Sequence, residues 1–198
     1  MSQYPERFEV LMEGIAGGSS EEIRHACAEM RVRWKDAPVD ALLSLKEKLR
    51  RLDMEHREAQ VDELLISIAE KRPGPFTEIA TEPGHPLWRA SVEVLTMVGS
   101  AEYLDLFVSL LPLCRKKGLR DIVKAIGSFK GEKVVEALGP YLYSEDRDTF
   151  LEAALALKRT GGEKALYHLK GCFEAKRRGY SEDASIIEDL IADMGQAA

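Results

Sequence analysis

Two basic runs hold the side chains whose type and spacing could do chemistry by charge. They are Arg115-Lys116-Lys117-Gly118 and Lys176-Arg177-Arg178-Gly179, 61 residues apart. A glycine closes each run, so each reads as the C-terminal end of the second helix of a helix pair. Cations there complement the helix dipole, by about 0.3–1 kcal/mol each. Projected from one common edge, the same six side chains would dock an acidic protein segment or phosphates. Lys46, Lys48, Arg50 and Arg51 would add a third cluster of this kind.

Other chemistry finds less support. His25, His56, His85 and His168 stand singly. Cys27, Cys114 and Cys172 are odd in number and far apart, with no CxxC or Cys–His cluster, so no metal and no cofactor is expected. They read as reduced, half-buried core thiols. Glu145-Asp146 and Glu182-Asp183 fit helix starts, where negative charge suits the dipole. Gly161-Gly162-Glu163-Lys164 lacks the phosphate-loop spacing and a preceding strand, and reads as a turn between helices. No Ser–His–Asp or Cys–His signature stands out. Tyr141, Tyr143, Tyr167 and Trp88 are either groove anchors or packing residues, and Trp34 reads as core.

These residues sit in a chain that repeats itself. Leu95, Ile126 and Leu157 are spaced by 31 residues and 31 again, and the apolar positions that follow each one coincide. Gly131-Glu132-Lys133 falls on Gly162-Glu163-Lys164 in this register. Before each break runs an apolar stripe at spacings of three and four, such as Phe150, Ala153, Ala154 and Leu157. After a short glycine-containing breaker comes a second stripe, such as Val134, Val135, Leu138 and Leu142. Two helices of about 12–16 residues joined this tightly lie antiparallel, and neither member can bury its apolar face without neighbours. The clearest units are 86–117, 118–143 and 144–178, within one domain spanning 1–198. Ser19-Ser20-Glu21-Glu22 predicts a capping box and a helix to about Trp34. Helices are expected from Pro38 to Leu52 and over 54–71. The Pro- and Gly-rich stretch 72–86 leaves room only for a short helix over Phe76–Ala80 and marks a hinge or a subdomain boundary. Residues 5–16 and 181–195 would cap the two ends.

Composition narrows the partners. Of 198 residues, 45% are hydrophobic and 31% charged, and the net charge is −6. Residues 1–99 carry 18 acidic against 13 basic side chains, and residues 100–198 carry 16 against 15. An acidic chain is poorly suited to general nucleic-acid binding, which depends on neutralising phosphates. No stretch approaches the roughly 18 apolar residues of a membrane span. A soluble, cytoplasmic protein with no membrane and no metal is the expectation.

Leu95-Thr96-Met97-Val98-Gly99 and Ile126-Gly127-Ser128-Phe129 resemble the end of the first helix in HEAT-like repeats of the armadillo type. Leu87-Trp88-Arg89 and Gly118-Leu119-Arg120, again 31 apart, resemble the apolar–Arg start of those repeats. The resemblance covers residues 86–173 and is looser outside. It departs at Leu151, where Arg is expected. It implies an all-α fold, a right-handed α-solenoid of stacked antiparallel helix pairs whose curved face serves mostly to bind partners. One enzyme class of similar architecture, deoxyhypusine hydroxylase, binds iron through His-Glu pairs, and no His-Glu dipeptide occurs here. Phycobilin lyases also contain such repeats, but no residue-level motif carries that likeness over. The expectation is a non-enzymatic scaffold or adaptor for another protein, bound through the curved face or through the basic edge of Arg115, Lys116, Lys117, Lys176, Arg177 and Arg178. The alternative is a nucleic-acid-binding protein resembling the alkyl-base DNA glycosylases, echoed only by Trp34, Trp88 and the basic clusters.

Overall fold

A computed structural model of the chain describes residues 6–177, 179 and 181–196. Each expected apolar stripe forms a helix, and there is no strand among the described residues. The helices pack as neighbouring pairs, in two compact units, Met1–Val98 and Gly99–Ala198.

The first unit holds α1 (Glu6–Gly17), α2 (Ser20–Val32), α3 (Val39–Arg51), α4 (Glu55–Ala69), α5 (Gly74–Ala80) and α6 (Trp88–Val98). The capping box forms as its sequence requires. The Glu22 amide donates to Ser19 Oγ (3.4 Å), and the Ser19 amide donates to Glu22 Oε2 (2.6 Å). Helix α4 is central, packing on α2, α3 and α6. Its Val61, Leu64, Leu65 and Ile68 are fully buried. Two arginines finish neighbouring helices. Arg57 donates to the Ala16 and Gly18 carbonyls at the end of α1, and Arg72 donates to the Trp34 and Lys35 carbonyls beyond α2. Arg57 thereby gives the Ala16 carbonyl, in the last turn of α1, a partner that the helix itself does not supply. The short α5 is tied to α6 by the Trp88 indole N–H donating to the Ala80 carbonyl (2.9 Å) and the Ser91 hydroxyl donating to the Phe76 carbonyl (2.7 Å).

The second unit holds α7 (Ala101–Leu110), α8 (Lys116–Ile126), α9 (Glu132–Leu138), a 3-10 helix (Gly139–Tyr143), α10 (Arg147–Thr160), α11 (Gly162–Lys176) and α12 (Ser181–Gln196). Helix α10 is its centre, packing on α8, α9, the 3-10 helix, α11 and α12. Several helices are shorter than expected. Gly139-Pro140 ends α9 after 7 residues, because Pro140 has no N–H to continue the ladder and the chain tightens instead. Asp146 caps α10 by accepting from the Thr149 amide (2.9 Å).

The 31-residue register reappears as burial. Leu95, Ile126 and Leu157 are each 0% exposed. So is the next aligned trio, Phe107, Leu138 and Leu169. Burying a side chain of this size contributes about 1.5–3 kcal/mol. Gly127 ends α8 with an ordinary φ of −66°. A Cβ there would lie 2.6 Å from Ala156 Cβ, so the glycine is required by the close approach of α8 to α10.

Candidate functional site

The two basic runs stand in different surroundings. Helix α7 stops at Leu110, and the chain turns before α8. The Leu110 carbonyl accepts from the amides of Leu113 (2.9 Å) and Cys114 (3.1 Å). Leu111 and Cys114 are buried, which turns Pro112 and Leu113 outward, and Leu113 is 62% exposed. Arg115 is then the residue before α8, and Lys116 and Lys117 are its first turn. The run therefore starts a helix rather than ending one. This corrects the expectation: Pro112 and the turn on Leu110 break the apolar stripe earlier than its spacing suggests.

The correction changes the electrostatics. Cations at a helix start oppose the dipole instead of complementing it. Arg115, Lys116 and Lys117 are all exposed and make no ion pair among the described residues. Lys116 has φ +49°, in the left-handed region that costs a residue with a Cβ about 1–2 kcal/mol.

The second run does end a helix, α11, but its cations are engaged. Lys176 is 13% exposed on its side chain, lies 4.1 Å over the Phe150 ring and pairs with Asp183 (2.9 Å). Arg177 pairs with Glu174 on its own helix (2.9 Å). Arg178 lies outside the described residues. Beside Lys176 is a half-open cleft of about 680 Å³. Its charges are largely matched within it: Arg147 meets Glu182 (3.2 Å) and Asp183 (3.5 Å). Glu145 also lines it. The connections at 111–115, 144–146 and 177–180 lead into α8, α10 and α12. The middle one carries Glu145 and Asp146, so the basic groups are interrupted by acid.

The third basic cluster dissolves in a different way. Lys46 is 2% exposed, with its ammonium 2.5 Å from Asp62, 3.2 Å from Glu58 and 3.6 Å from Glu93. Arg50 donates to Glu47 (3.1 Å) and Glu58 (3.0 Å) and pairs with Glu93, which Arg89 also meets (3.2 Å). This network joins α3, α4 and α6. Burial pushes the Asp62 carboxyl above its ordinary range, and Lys46 does not fully offset it because Glu58 and Glu93 add repulsion. Burial also raises Glu58, but the hydrogen bonds and charges of Lys46 and Arg50 outweigh it and leave Glu58 lowered.

The remaining candidates divide between core and surface. Trp88 is buried, and Trp34 is half-buried with the Lys35 ammonium 5.7 Å from its ring centroid. Tyr143 and Tyr167 are exposed, and Tyr141 is half-buried. Cys27, Cys114 and Cys172 are free, buried thiols, each pushed up chiefly by burial. Among the described residues no group of three or more His, Cys, Asp and Glu side chains could hold a metal ion, and no helix is long and apolar enough to cross a membrane.

Fold and site together define an all-α protein of paired helices with an exposed basic turn. Its fold is similar to that in the crystal structure of an engineered protein from the Northeast Structural Genomics Consortium. The TM-score is 0.52 at 14% identity, over 96% of this chain and 97% of that one. No protein-family model and no curated protein matches the sequence.

Proposed function

We propose that the protein is a non-enzymatic scaffold built from HEAT-like helical repeats, and that it binds another protein through an acidic segment of that partner. One observation carries the reading. Arg115, Lys116 and Lys117 stand exposed at the start of α8 and without ion pairs among the described residues, where their charge does nothing for the helix. Three uncompensated cations held close together favour a carboxylate-rich partner and speed its encounter. The 31-residue register supports the repeat class, with Leu95, Ile126 and Leu157 at equivalent, fully buried positions.

The test is affinity purification of the full chain from its native cell, comparing wild type with Arg115→Glu/Lys116→Glu/Lys117→Glu. Partners held by the wild type should be lost from the triple variant and from the wild type at high salt. Unchanged retention by the triple variant would discard the reading.

A further inference from the structure

We infer that the partner segment is not merely acidic but carries an apolar side chain among its carboxylates, seated on Leu113. This rests on the proposed function and sharpens its partner. Leu113 is the one large apolar side chain presented by the turn between α7 and α8, at 62% exposure, two residues from Arg115. The turn is fixed rather than loose. Two amides converge on the Leu110 carbonyl, and Leu111 and Cys114 are anchored in the core on either side of Pro112-Leu113. A leucine held out to water in this way costs little to dock, since its backbone is already ordered.

The patch is thus one apolar point held by anchored neighbours, followed at once by three cations with no ion pair among the described residues. Its complement is an apolar side chain followed by acids. Polyglutamate would satisfy only the cations. An anionic membrane fits less well, because stable lipid anchoring takes a larger apolar insertion or a longer polybasic run than one leucine and three cations supply.

Fluorescence anisotropy on the full chain tests this with two labelled synthetic peptides. One is a run of Glu and Asp with Leu-Phe at its centre; the other has Ser-Ser there. The first should bind about tenfold more tightly, on the scale of burying an aliphatic side chain. Leu113→Ser should close most of that gap, while Arg115→Glu/Lys116→Glu/Lys117→Glu should weaken both peptides and flatten the salt dependence. The comparison of peptides on the unaltered protein stands even if a variant misfolds. Equal binding of the two peptides, both lost in the triple variant, overturns the inference and leaves the proposed function. Binding of both peptides undiminished in the triple variant overturns the two together. No binding of either peptide overturns the inference, as does co-sedimentation with phosphatidylserine vesicles that the same variants abolish.

Discussion

Lys46 is a long side chain whose charge is taken almost wholly out of water, and it survives there because three carboxylates converge on it. Removing the lysine leaves the carboxylates repelling one another. Lys46→Met should therefore cost about 2–4 kcal/mol in urea denaturation, somewhat below a fully buried pair because the carboxylates keep some contact with water. Asp62 and Glu58 answer to pH in opposite senses. Asp62 is raised above its ordinary 3.8, so its protonated form favours the fold; that contribution is complete below 3.8 and is lost as pH rises through the higher folded value. Glu58 is lowered from 4.5, so its contribution is present above 4.5 and is lost as pH falls through the folded value. Asp62→Asn should accordingly be at least as stable as wild type at pH 7, whereas Glu58→Gln should be less stable there, and both differences should shrink in acid. Thermal unfolding across that range checks the pair; a destabilised Asp62→Asn at neutral pH would contradict the assignment. Lys116 offers a third case. Its left-handed φ of +49° would suit glycine, so Lys116→Gly should gain up to about 1 kcal/mol of stability while weakening the acidic partner. Loss of stability in that variant would refute the strain.

At the scale of elements, helix contacts are set by where small residues permit approach. Gly127 lets α8 come against Ala156 of α10. Gly127→Ala should cost about 1–3 kcal/mol through overpacking, and adding Ala156→Gly should recover part of it, a coupling that a double-mutant cycle measures. Strict additivity of the two changes would show that the helices do not meet there. The element pattern was largely legible in sequence because the glycine breaks and the apolar spacing of three and four are local signals. The ends of elements were less so. Pro112 announced that α7 stops, but the apolar residues around it continued the stripe and hid the stop. The burial of Lys46 and of Lys176 had no local signal at all. Glu93 lies 47 residues from Lys46, and Phe150 lies 26 from Lys176. Only folding brings them together.

For the molecule as a whole, electrostatics is uneven. The acidic excess belongs to the first unit, while the second is nearly balanced, so an exposed cation there is less screened by neighbours of opposite sign. Binding of an acidic partner at Arg115–Lys117 should weaken steeply between about 0.1 M and about 1 M salt, as the Debye length falls from about 10 Å to about 3 Å. Calorimetric titration at several salt concentrations checks this, and a salt-independent affinity would place binding elsewhere. The candidate site was visible in sequence as charge. The engagement of Lys176 and Arg177 was not, because pairing and burial are properties of the folded chain.

One surface feature of the second unit reaches further. Lys133 pairs with Asp105, and Lys164 pairs with Glu136 (3.5 Å), each lysine 28 positions after its acid. Moving Asp105 and Lys133 forward by 31 lands on Glu136 and Lys164. Each pair is exposed and worth little alone. Because both follow one rule, a block of 31 residues duplicated in tandem would arrive with its acid and its lysine already matched to those on either side. An insertion or deletion of one whole block should therefore leave these pairings intact at the seams, whereas one of any other length should break them.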